Sequence, residues 1–398
     1  MRDKMGDRME NVSDRAVVQT KIAEASAKVE TAVSGRLLAI DAMRGIAILS
    51  MSLRHTAYFL RYPLQAETYG GQPAVLLGWP YWVSGLIANI SAPTFFFLIG
   101  LSLTLFVNGR RKAGDSEMEI TRFLLTRAGV LLLLDLTLCE IAWAGPRPYT
   151  HVLLSIAIAM AILSVARLLH PAVLTGLSLM LIMVYQYFLP VITPEFSETH
   201  DFWMALLFSY TTIIRPASEF SIFGWLSLPL LGFVLGQYIH LPIFRRPLVW
   251  VAIGLGLMVT WLVVRVTNLL NEPTPFVANQ EWLWFFIMSK TPPSLTFLTF
   301  NLGLSALTLA VLYMAGDWFK RPPLQWLMIC GQASLFFFVV HIVVYGPMAS
   351  LVMAMKLPGP HIIYTFVIWF LGLALLIPLA YYYRQLRRRN PKSLLRYL

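Results

Sequence analysis

Asp41, Arg44 and His55 share one apolar stretch, RLLAIDAMRGIAILSMSLRHTAYF, at residues 36–59. The eleven residues from Arg44 to His55 make three helical turns, so the two side chains leave one face about 16 Å apart. Asp41, three residues before Arg44, falls near that face and can pair with it. An imidazole can take a proton and a guanidinium can hold an anion. Ionisable groups inside a membrane helix are costly, and they mark a pathway or a reaction site. The plainer reading is that Asp41 and Arg44 anchor one helix end at the interface while His55 caps the other.

Other polar residues interrupt apolar runs further on. His151 begins one such run and His341 lies near the end of another, toward the same side as His55. Each alone is an ordinary interfacial or hydrogen-bonded histidine; three at one level suggest a site. No two share a helix at ligand spacing and neither cysteine joins them, so no metal is expected. Asn89 and Pro93 stand in LIANISAPTFFFLIGLSLTLF, where proline frees a carbonyl and the amide needs partners, as in a polar cavity or a kinked helix. Asp135 lies mid-span and needs a partner or a proton, for which Arg265 is the candidate by depth. In SKTPPSLTFLTFNLG, Lys290 could bind a sugar or an anion or simply mark the interface, and Ser294 could line the same cavity, beside prolines that start a helix.

These residues must be placed by membrane helices. The 398 residues are 58% hydrophobic and 13% charged, outside the soluble range. The net charge of +11 sits in short clusters between apolar segments, which argues against nucleic acid. Cys139 and Cys330 fall within apolar segments and suggest no disulfide framework. The expected fold is an all-α polytopic bundle of about ten transmembrane helices, at 38–59, 82–107, 124–144, 151–168, 172–191, 220–240, 247–269, 294–315, 324–346 and 361–383. The short apolar piece 203–214 reads as interfacial or re-entrant. With the N-terminus inside, Lys and Arg of the connections divide sixteen to seven in favour of the inner side, so both termini are expected in the cytoplasm. Residues 1–35 form a polar segment with a weak amphipathic period that could lie on the bilayer or pair with a second copy as a homo-oligomer. The domain is expected at 36–384, followed by a basic tail at 385–398.

IDAMRGIAIL, APTFFFLIG, GWLSLPLLGFVLG, SKTPPSL and GQASLFFFVVHIVVY, in that order, resemble the bacterial relatives of the heparan-alpha-glucosaminide N-acetyltransferase catalytic domain, within a transmembrane acyl transferase superfamily. The resemblance implies transfer of an acyl group, typically acetyl from cytosolic acetyl-CoA, to a sugar hydroxyl or amine across a bacterial inner membrane. An Arg followed eleven residues later by a His also resembles the first-helix signature of the surface-polysaccharide O-acetylases, which implies His55 as the catalytic group and Arg44 as required. His341 matches a histidine of the relatives' ninth-helix motif. The lysosomal enzyme differs: it carries Asn at the position of His55 and uses a loop histidine, whereas residues 60–81 here hold none. On this reading acyl-CoA lies near Asp41, Arg44 and the Arg110, Arg111, Lys112 cluster, with Asn89, Lys290, Ser294, His151, Asp135 and Arg265 around the acceptor. The alternative from another class is a transporter or flippase that binds a solute or lipid-linked sugar without chemistry.

Overall fold

Where water is absent a helix satisfies its own backbone, so a chain this apolar folds as helices. The computed structural model describes residues 38–398 apart from 63, 65, 70–73, 140–148, 193–201, 210–216, 271, 278–279, 358–360, 391–392, 394–396 and 398. The polar segment 1–35 lies outside the described residues. Helix α1 covers residues 38–59. It is followed by α2 (Trp79–Asn89), α3 (Ser91–Lys112), α4 (Glu117–Leu134), α5 (Val152–Ala166), α6 (Pro171–Ile192), the short α7 (Phe202–Leu207) and α8 (Ile222–Tyr238). The chain continues through α9 (Pro247–Thr267), α10 (Leu295–Met314), α11 (Leu324–Gln332), α12 (Ser334–Ala354) and α13 (His361–Arg389).

The expected spans reappear as helices, with instructive differences. The segment 82–107 is divided at Ile90 between α2, which starts at Trp79, and α3, and Pro93 has no N–H to give the Asn89 carbonyl there. Helix α4 starts earlier than expected, at Glu117, since Ser116 and Glu119 form a reciprocal capping box. It then passes into a π-helical turn, Asp135–Cys139. The expected single helix 324–346 is two helices broken at Ala333. Around 203–214 the described residues form the short helix Phe202–Leu207, and residues 210–216 lie outside the described residues. Helix α13 runs on to Arg389, into the basic tail.

By length and apolarity, six helical stretches among the described residues can cross a membrane: Trp79–Lys112, which joins α2 and α3, together with α6, α9, α10, α12 and α13. Helices α5 and α8 are apolar but shorter. Helix α1 carries Arg44, Arg54 and His55, and α4 carries Glu117, Glu119, Arg122 and Arg127, so neither reads as a plain apolar span. The expectation of ten spans thus rests partly on segments that charge or length keeps below that standard.

Helices α3 and α8 approach backbone to backbone. A Cβ at Gly100 would sit 1.9 Å from the Pro229 carbonyl oxygen, and one at Gly232 would sit 1.9 Å from that of Phe97. Small residues permit such packing where no hydrophobic effect drives helices together. Helices α1 and α11 meet in the same way through Gly331, which lies against the Asp41 carbonyl. Phe96, Trp225, Phe297, Phe337 and Tyr345 fill the centre.

Two small parallel ladders tie the loops together. Strand β1 (Glu67–Tyr69) pairs with β4 (Met288–Thr291), and β2 (Tyr149–Thr150) pairs with β3 (Ala217–Ser218). Each brings sequence-distant polar residues side by side just before a helix begins.

Candidate active site

His55 near the end of α1, His341 on α12 and His151 at the N-cap of α5 converge in the interior, none more than 8% exposed. His55 Nδ1 lies 2.7 Å from His341 Nε2, and the rings stack with centroids 4.9 Å apart. The His151 ring stands edge-on to His55 at 6.2 Å. Three histidines expected at one level by sequence are therefore neighbours in space.

The hydrogen bonds assign the protons. His341 Nδ1 is 3.2 Å from the Phe337 carbonyl oxygen, which can only accept, so Nδ1 carries hydrogen and the neutral ring offers Nε2 as acceptor. His55 must then donate from Nδ1, which places its own lone pair on Nε2. A carbonyl on α12 thus orients His341, and His341 orients His55. The anchor is stiff: Tyr345, one turn beyond His341, donates to the Trp369 carbonyl at 3.0 Å, and Trp369 Nε1 donates to Ser52 Oγ on α1 at 2.9 Å.

The β2–β3 ladder delivers the third imidazole. Thr150 and Ser218 are register partners, so the residues that follow them, His151 and Glu219, come together, with Nε2 3.2 Å from a carboxylate oxygen. Asp135 accepts from the His151 backbone N–H at 3.0 Å, at the N-terminus of α5. Its expected partner Arg265 is engaged elsewhere: the guanidinium donates to the carbonyls of Thr274, Trp284, Phe285 and Ile287. The fork of Arg265 ties down the chain that follows α9, so depth alone misassigned the pair.

The β1–β4 ladder places Glu67 near Lys290. Glu67, fully buried, takes a bidentate contact from Arg54, whose guanidinium also donates to Asn89 Oδ1 and to the Gly85 carbonyl. Asn89 is therefore a support of Arg54. Lys290 is 5% exposed, with its Nζ 5.7 Å from the centre of the Phe220 ring. Burial and then Arg54 push its ammonium down to about 8, against the pull of Glu219 and Glu67. The charges of Lys290 and Arg54 both reach His55. Ser294 caps α10, accepting from the Phe297 N–H at 3.2 Å, and its hydroxyl contacts Thr296.

At the other end of α1, Arg44 and Asp41 pair at 2.9 Å. Asp41 also accepts from Gln332 Nε2 at 2.9 Å, and Gln332 accepts from Arg384 at 2.6 Å, which links α1, α11 and α13. Arg127 of α4 and Arg387 of α13 add positive charge beside Arg44. The cluster at the end of α3 does not join them through its arginines. Arg110 pairs with Asp115, and Arg111 with Glu117 at 2.6 Å, while Lys112 is exposed. Hydrogen bonds from Arg111 and Arg167 hold the exposed Glu117 carboxyl down to about 2. Acidic residues a few positions away neutralise the two arginines across the α3–α4 turn.

Sequence reasoning missed Glu219, Glu67 and Arg54 as members of the cluster. Glu219 directly follows a strand of two residues and Glu67 begins one of three, both too short to show a period, and the ladder pairing that carries them inward is non-local.

Residues 36–265 match the family described as heparan-alpha-glucosaminide N-acetyltransferase, catalytic. No curated protein matches the chain.

Proposed function

The chain belongs to the heparan-alpha-glucosaminide N-acetyltransferase catalytic family, and from that premise we propose that it moves an acetyl group from cytosolic acetyl-CoA to a sugar hydroxyl or amine on the outer side of a bacterial inner membrane. The coarser part stands on the family and the helices: this is a multi-pass membrane protein of an acetyltransferase family. The observation that carries the finer reading is the directed chain from the Phe337 carbonyl through His341 to His55. Such a chain presents His55 Nε2 as a general base, held in one tautomer, as acyl transfer to a hydroxyl or amine requires.

On this reading His55 takes the acceptor's proton and the acceptor attacks the thioester carbonyl. Lys290 is the nearby cation able to offset the negative charge of the tetrahedral oxygen. Acetyl-CoA approaches from the end bearing Asp41, Arg44 and the positive charge of Arg127 and Arg387, and its anionic nucleotide contacts Arg44. The roughly 16 Å between Arg44 and His55 along α1 is comparable to the reach of its pantetheine arm. Lys290 and His151 face the acceptor. The family gives the transporter alternative no support.

The test is transfer of isotope-labelled acetyl from acetyl-CoA to glucosamine by membranes containing the protein, resolved by mass. Absence of transfer to any supplied amino sugar or sugar hydroxyl, with the protein folded and inserted, would sink the reading.

A further inference from the structure

Two imidazoles of the cluster stand in opposite company. His55 donates to a second neutral ring and lies within reach of two cations, Lys290 and Arg54. His151 is set against carboxylates: Glu219 at 3.2 Å on Nε2, and Asp135 on its backbone N–H at 3.0 Å. Glu219 thus sets a carboxylate against the Nε2 side of the His151 ring. Among the described residues, the rings of Phe220 and Phe338 stand 5.6 and 6.2 Å from that of His151, and the imidazoles of His55 and His341 lie nearby. One ring held against a carboxylate and another held by a neutral imidazole can divide acid and base work between them.

We propose that His151, charge-paired with Glu219, is the general acid that protonates the departing thiolate, while His55 is the base toward the acceptor; this rests on the acetyltransferase reading above. The step balances. The acceptor O–H or N–H gives its proton to His55 Nε2, and its electron pair forms the new bond to the thioester carbon as the carbonyl π pair moves to oxygen. When the tetrahedral adduct collapses, the C–S bond breaks, its pair stays on sulfur, and sulfur takes the proton from His151 Nδ1. His55 is left protonated and His151 neutral. One proton passed between these rings, whose centroids are 6.2 Å apart, restores the starting state. In a dry interior an unprotonated thiolate is expensive, which is why an acid is useful there.

The experiment compares acetyl-CoA with its oxygen-ester analogue, which keeps the nucleotide and arm but has a far poorer leaving group. Purified wild type, His151→Gln, Glu219→Gln and His55→Gln are assayed with glucosamine as acceptor. Loss of a general acid costs more for the poorer leaving group. His151→Gln is therefore expected to lower turnover about 10²-fold with the thioester and about tenfold further with the ester. Glu219→Gln, which keeps the geometry and removes the charge, shifts the thioester-to-ester ratio in the same direction, and His55→Gln lowers both rates with the ratio unchanged. A wild-type ratio in both His151→Gln and Glu219→Gln overturns the proposal while leaving acetyl transfer intact. No transfer by the wild type from either donor overturns the enzyme reading, and this inference with it. Should His151→Gln not fold, the ratio in Glu219→Gln decides.

Discussion

His55 Nδ1 and His341 Nε2 lie 2.7 Å apart, and because His341 is itself fixed by the Phe337 carbonyl, the two rings hold unequal roles. His55→Ala should leave a folded protein whose turnover falls about 10²–10⁴-fold, the usual worth of general-base assistance. His341→Ala should cost less, and His341→Gln, whose amide oxygen can still accept from His55, should recover part of the loss. Turnover that survives His55→Ala but vanishes in His341→Ala would move the base to α12.

At the opposite end of α1, Arg44 keeps a quarter of its side chain exposed while paired with Asp41, so it can engage an arriving anion without first leaving a buried site. Arg44→Ala should raise the KM for acetyl-CoA about tenfold or more, as expected for one charge-assisted contact, with a smaller change in kcat. Asp41→Asn should act differently, since Asp41 also joins Gln332 and through it Arg384; thermal stability in detergent should fall more than donor affinity. Unchanged donor affinity in a well-folded Arg44→Ala protein removes Arg44 from the donor site.

The helices and three histidines were legible in the sequence because burial in lipid writes itself as long apolar runs, and because ionisable residues stand out against them. What was hidden has a common cause. The break at Ala333 and the partners of Arg265 and Asp135 are set by contacts between distant segments, which no period records. Glu219 and Glu67 reach the site only through ladders of two to four residues. Asn89 looked like a cavity residue because an amide in an apolar helix must have a partner; that partner is Arg54, one helix away. Arg110 and Arg111 looked like a donor patch because the sequence shows charge but not which acid will face it.

The charge asymmetry predicts the topology. Single cysteines placed in 108–122 and 316–323 should be reached by a membrane-impermeant thiol reagent only from the cytoplasmic side. Those in 60–81 and 270–293 should react from outside. Labelling of the 108–122 loop from outside would invert the orientation and with it the direction of transfer.

Glu67 has no exposed side-chain surface, and Arg54 little, so their contact is a buried ion pair. Removing one partner strands the other charge. Glu67→Ala should destabilise the protein by about 3–5 kcal/mol, read as a drop in thermal midpoint in detergent, and Glu67→Gln by less. A double replacement, Arg54→Met with Glu67→Met, should recover much of that loss, since no charge is then left stranded. A double variant no more stable than Glu67→Ala would show that the pair acts through more than its own charges.

Lys290 gives a pH dependence whose sign can be worked out. Burial, aided by Arg54, pushes its ammonium down from 10.5 to about 8 in the folded protein. Below about 8 both folded and unfolded chains carry the proton, and this group adds no slope. Between about 8 and 10.5 the unfolded chain still binds a proton that the folded chain has released, so stability from this group rises with pH. The gain at the top of that window is on the order of a few kcal/mol, at about 1.4 kcal/mol per pH unit. Thermal midpoints of wild type and Lys290→Met in detergent, measured from pH 7.5 to 10.5, isolate the effect from tyrosines and other groups that titrate in both proteins. The difference should move steadily in favour of the wild type as pH rises through that window. A difference that stays constant would place Lys290 in ordinary contact with water, and one that moves the other way would mean that Glu219 and Glu67 hold its charge more strongly than burial opposes it.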